Sequence, residues 1–181
     1  MNIDFIILAA GKGTRMGGDS PKVLASLGGK PMLQHLVDTV DSFQTSKTSI
    51  VVGYKSTEVE RHLVSQKKLR FVKQKNQLGT AHAVKQALPN IRKNSVAVIL
   101  YGDVPLVKKN TLNRLIKSAS TGKLSLLTFI KDDPKGYGRI IRGSKKNVLK
   151  ITEHKDASSA EKEIREVNSV SYTHLRAHET Q

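Results

Sequence analysis

The sequence predicts an α/β domain with a largely parallel sheet, and three observations carry that prediction. Short apolar runs alternate with amphipathic stretches, the pattern of strands and crossover helices. The first apolar run opens into the glycine-rich turn Gly11-Lys12-Gly13, and a later one ends in Tyr101-Gly102-Asp103. In open sheets of this kind ligands collect beyond the carboxyl ends of the strands, where both segments fall.

The elements follow in order. Asp4–Ala10 reads as a buried central strand. Pro31 opens a helix whose Leu33, Leu36, Val37 and Val40 keep helical spacing. Ile50-Val51-Val52 is a strand stopped by Gly53, and a polar helix follows around Glu58–Val64. Leu69–Val72 is the next strand. Thr80–Leu88 is a helix with Ala81, Val84, Ala87 and Leu88 on its inner face, and Pro89 ends it. Val96–Leu100 is a second buried strand, followed by a helix on Leu112, Leu115, Ile116 and Ala119 and then by a strand over Leu124–Phe129. Arg139–Ile141 and Val148–Thr152 flank Gly143-Ser144-Lys145-Lys146-Asn147 as a hairpin. There is no internal repeat and no low-complexity segment.

Composition narrows the function classes. A chain of 181 residues suffices for one well-buried domain and is short for two. No apolar run approaches the roughly 18–20 residues of a membrane span, and Phe5–Ala10 has no basic region ahead of it to make a secretory signal. The absence of cysteine removes disulfides, thiolate chemistry and cysteine metal sites, and fits a cytoplasmic setting. The net charge of +16 favours phosphate-bearing partners. Nucleic acid is not the expected one, because aromatics make up 4% of the chain, tryptophan is missing and the lysines are dispersed. His174 and His178 stand four apart without the acid between them that a zinc-protease helix needs, and His82 shows no triad partner.

Leu8-Ala9-Ala10-Gly11-Lys12-Gly13-Thr14-Arg15-Met16 runs from a strand into a turn where Gly11 and Gly13 let backbone N–H groups approach phosphate oxygens. A dinucleotide loop fails at Met16, where its third glycine belongs, and a P-loop counted from Gly13 meets Asp19 where lysine is required. The run Leu-x-x-Gly-x-Gly-x-Arg-Met followed by Pro21-Lys22 resembles instead the signature of sugar-nucleotide transferases. Segments Gln74–Ala83, Tyr101–Leu106, Asp133–Ile140, Glu153–Ala157 and Glu166-Val167-Asn168 occur in matching order. Together they resemble the N-terminal domain of the bacterial bifunctional N-acetylglucosamine-1-phosphate uridyltransferase/glucosamine-1-phosphate acetyltransferase family, over about residues 3–169.

That resemblance implies a Rossmann-like nucleotide-diphospho-sugar transferase fold, incomplete at its C-terminus, and a Mg²⁺-dependent step in cell-wall precursor synthesis. UTP and N-acetylglucosamine 1-phosphate would give UDP-N-acetylglucosamine and pyrophosphate. It assigns Arg15 and Lys22 to phosphate charge as the catalytic pair, and Asp103 to the metal. Leu8, Ala9, Ala10, Gly11, Gln74, Gly79 and Thr80 would hold uridine. Tyr101 and Gly102 accompany Asp103 in the nucleotide site, and Gly138, Glu153 and Asn168 match positions for the amino sugar. Departures are Tyr54 in place of histidine and the stretch 170–181, which reads as a tail foreign to the family, artefactual or disordered. The family's downstream metal-binding asparagine and the β-helix that makes its trimers are expected to be missing, which would impair activity. Two other readings remain open: a guanylyl- or cytidylyltransferase, and a catalytically silent basic module binding nucleotide or RNA.

Overall fold

Asn2–Ala9 forms β1, whose alternating side chains feed two separate cores. Ile3, Phe5, Ile7 and Ala9 join one apolar cluster, while Ile6 and Ala10 join the other. The computed structural model describes residues 1–11, 20–44, 46–65, 69–119 and 124–175, with the backbone alone for 170–175. The chain divides into two compact units, Met1–Ser125 with Tyr172–Gln181, and Leu126–Ser171.

In the first unit, a one-turn 3-10 helix at Lys22–Leu24 precedes a small ribbon of β2 (Ser26–Leu27) and β3 (Lys30–Pro31). Gly28 and Gly29 make its two-residue turn, with φ of +57° and +81°. There follow α1 (Met32–Asp41), β4 (Ser46–Val52), α2 (Ser56–Arg61), β5 (Leu69–Lys73), α3 (Thr80–Ala87), β6 (Ser95–Tyr101) and α4 (Lys109–Ala119). The strands run β5-β4-β1-β6, every pair parallel, with Ile7 level with Ile50 on one side and Leu100 on the other. Leu33, Leu36, Val37 and Val40 of α1 and Leu112, Ile116 and Ala119 of α4 cover one face. Ala83 and Ala87 of α3 cover the other.

Three expectations need adjusting. β4 begins at Ser46, not Ile50, because Thr48 and Ser49 are buried within it between β1 and β5, and polar residues hid that half from an apolar search. Pro31 lies in the ribbon and caps α1 rather than opening it. The buried face of α3 is Ala83 and Ala87, whereas Ala81 is exposed and Leu88 has passed into a 3-10 turn. The change of period from 3.6 to 3 residues rotates Leu88 off the expected stripe.

The second unit contains most of β7 (Ser125–Ile130), then β8 (Arg139–Arg142), β9 (Val148–Thr152), α5 (Ser159–Lys162) and the first part of β10 (Glu166–Leu175). β8 and β9 pair antiparallel across the expected hairpin, and Val167 pairs with Arg139. The backbone of β10 continues past residue 169, and Tyr172–Leu175 pair antiparallel with Ile99–Val96 in the first unit's own sheet. No helix among the described residues is long and apolar enough to cross a membrane.

Candidate functional site

At the carboxyl ends of β1 and β6 the first unit holds a cavity of about 440 Å³. Leu8, Ala9, Ala10, Gly11, Lys22, Gln74, Gly79, Thr80, Tyr101 and Asp103 line it, so ten residues singled out from the sequence meet at one place. Parallel pairing explains the meeting, since it brings every strand's carboxyl end to the same edge.

The floor is set by close backbone approach. Gly102 N–H donates to Leu8 O at 2.9 Å, one step beyond the β1–β6 pairing. A Cβ on Gly102 would stand 3.1 Å from that same oxygen and 3.1 Å from Val23 Cγ1, so glycine lets Asp103 turn into the cavity. Ala10 O accepts from Gln77 Nε2 at 2.8 Å and from Tyr54 N–H at 3.4 Å. These bonds hold the peptide that joins Ala10 to Gly11.

A cation and a carboxylate meet at one wall of the cavity. Lys22 rides on the 3-10 turn, which Leu24 N–H closes on Pro21 O at 2.8 Å and which buried Pro21 and Val23 anchor. Its Nζ stands 2.7 Å from Asp103 Oδ2, both side chains being about a third exposed, 37% and 35%. A pair this open to solvent is worth at most about 1 kcal/mol, so a polyanion can draw Lys22 away. On another wall Gln74 is buried, with Nε2 donating to Gly79 O at 3.1 Å and lying 3.0 Å from His82 Nδ1. Tyr101 donates its hydroxyl to Thr80 Oγ1 at 3.2 Å, linking β6 to the start of α3.

The second unit brings its three candidates together. Asn168 N–H donates to Gly138 O at 2.9 Å, and a Cβ on Gly138 would lie 3.3 Å from Glu153 Oε1. Arg139 organises this group. Its guanidinium is buried and bonds Tyr137 O, Lys162 O and His154 Nδ1, tying the two segments beside Gly138 and Glu153. Arg15 lies outside the described residues. Sequence reasoning passed over Gln77, His82 and Arg139 as contributors, although each sits inside a segment it had marked; hydrogen-bond partners distant in sequence gave no periodic signal.

Among the described residues no group of three or more His, Asp or Glu side chains could hold a metal. Among the described residues Asp103 is the one carboxylate lining the cavity. Such a donor set fits Mg²⁺ arriving with a nucleotide, because that ion commonly takes one or two carboxylates and completes its shell with phosphate oxygens and water.

Residues 5–162 match the family profile described as MobA-like NTP transferase domain. The chain is 46% identical over 167 residues to the bifunctional protein GlmU of Cellvibrio japonicus, covering 92% of this chain and 37% of that protein. To the bifunctional protein GlmU of Nitrosomonas eutropha it is 48% identical over 170 residues, covering 93% and 37%. The chain therefore spans just over a third of the length of these relatives. HddC from Yersinia pseudotuberculosis has the same fold, with a TM-score of 0.77 at 24% identity over 95% of this chain and 76% of that one.

Proposed function

The chain belongs to the MobA-like NTP transferase domain family, and we propose that it transfers a uridylyl group from UTP to N-acetylglucosamine 1-phosphate. The observation that carries this reading is one cavity with a buried amide, Gln74, on one wall and the Lys22–Asp103 pair on another. That gives a base end and a phosphate end in a single space. A glutamine amide suits a uracil edge because it can both donate and accept.

In the proposed step an oxygen of the sugar phosphate attacks the α-phosphorus of UTP. The bond from that phosphorus to the oxygen bridging toward the β-phosphate breaks, and pyrophosphate leaves with that oxygen. The attacking phosphate is already an anion, so no strong base is required, and orientation with charge stabilisation does the work. Lys22 leaves Asp103 for a phosphate oxygen, and Arg15 is assigned to the departing pyrophosphate. Mg²⁺, held by Asp103, would supply further neutralisation of phosphate charge. Gly138, Glu153 and Asn168 keep their expected role toward the amino sugar, supported by their motif and by their mutual proximity.

Calorimetric titration with UTP, CTP and GTP, with and without Mg²⁺, tests the reading. UTP should bind at least about fivefold tighter than CTP or GTP, since a mismatched base leaves buried polar groups unpaired at about 1–3 kcal/mol. Equal affinities would remove uridine as the substrate.

A further inference from the structure

Gln74 is a buried amide whose orientation decides what the cavity offers a base. Its Nε2 lies 3.1 Å from Gly79 O and 3.0 Å from His82 Nδ1. A carbonyl oxygen only accepts, so the nitrogen end of the amide must face Gly79. The amide nitrogen has two hydrogens and no available lone pair, so His82 Nδ1 must accept the second one. The imidazole is then neutral, with its proton on Nε2.

His82 Nε2 lies 3.1 Å from Gln86 Nε2, one helical turn further along α3. Two N–H donors do not bond each other. Gln86 therefore turns its oxygen to the ring, a half-turn about its last side-chain bond. Gln74 then donates to both Gly79 O and His82 Nδ1, and with the Gln86 amide exchanged end for end its oxygen would accept from His82 Nε2.

We propose that His82 is a positioning residue for base selection, locking Gln74 with its carbonyl toward the ligand so that the cavity accepts from uracil N3–H. This rests on the uridine reading above. Gln74 lines the cavity, and with its nitrogen engaged twice, Oε1 is the pole left for a ligand. Uracil carries hydrogen on N3, whereas cytosine presents a lone pair there. An acceptor facing an acceptor repels, so the locked amide discriminates against cytosine at this edge. Reversing the amide would oppose oxygen to Gly79 O and to the His82 lone pair, two unfavourable contacts at once.

The test has two parts on the whole chain. Long-range ¹⁵N correlation of the ligand-free protein reads the His82 tautomer, which should have Nε2 protonated and Nδ1 bare; the opposite tautomer overturns the proposal whatever binds. The ratio of UTP to CTP dissociation constants is then compared in the parent, His82→Leu and His82→Asn. Losing one of the two acceptors that hold Gln74 should lower the uridine preference of His82→Leu about fivefold. His82→Asn, whose Oδ1 can stand in for the ring Nδ1, should recover the parent ratio to within about twofold, again by keeping that one hydrogen bond. An unchanged ratio in His82→Leu overturns the positioning role. A parent chain without uridine preference overturns the uridine reading too, and the parent measurement alone identifies that failure.

Discussion

Ala10 and Gly53 show how closely single residues shape the cavity. A Cβ at Gly53 would lie 2.9 Å from Ala10 O, the oxygen that Gln77 and Tyr54 also bind. Backbone cannot yield as a flexible side chain does, so Gly53→Ala must push apart the ends of β1 and β4. The expected cost is about 1–3 kcal/mol of stability, measured by denaturant unfolding, with weaker UTP binding because the Ala10–Gly11 peptide lining the cavity moves. Parent-like stability and affinity together would show that the strand ends are looser than this packing indicates. Asp4 makes a different point. Its carboxylate is buried and accepts from Arg92 N–H at 2.7 Å and from Ser95 Oγ at 2.8 Å, with Arg92 Nη2 at 2.6 Å. Asp4→Ala should destabilise by about 2–3 kcal/mol, because it strands the buried Ser95 hydroxyl, the Arg92 N–H and a part-buried guanidinium without their acceptor; a loss below 1 kcal/mol in the same unfolding experiment would contradict that.

Among the elements, α5 has the clearest pH signature. Ser158 and Glu161 form a capping box in which each side chain accepts from the other's backbone N–H. Lys150 bonds the same carboxylate at 2.8 Å, and these interactions, Lys150 first, hold Glu161 down to about 2. A folded-state value below the unfolded one, about 4.3, means the stabilisation is present above the unfolded value. It is lost as the pH falls through that value to about 2. Amide exchange in Ser159–Lys162 should therefore accelerate across that window relative to β1, and Glu161→Gln should flatten the dependence. Sequence reasoning placed no helix here, although Ser158-x-x-Glu161 has the spacing of a capping box. By contrast, the β2–β3 ribbon rests on two-residue strands too short for any periodic pattern, and the polar half of β4 lacked an apolar run.

For the whole molecule, charge acts at longer range than any of these contacts. A net charge of +16 raises the local concentration of polyphosphates and steers their approach. The association rate of UTP should fall several-fold as ionic strength rises from about 0.01 to 0.15 M, since the Debye length contracts from about 30 to 8 Å. Stopped-flow binding would show it, and a salt-independent rate would confine the electrostatics to Lys22 and its immediate neighbours. By itself the sequence determined the α/β class, β1, most helices and the segments that carry the cavity's residues. Each of these leaves a local trace, as periodicity, turn chemistry or motif order. Only the tertiary structure decided that Lys22 pairs with Asp103, that Gln77 holds Ala10, that His82 meets Gln74, and that Arg139 joins Gly138 to Glu153. Those partners lie on separate elements or turns of chain, and a hydrogen bond depends on distance and angle in space, which spacing along the chain does not encode.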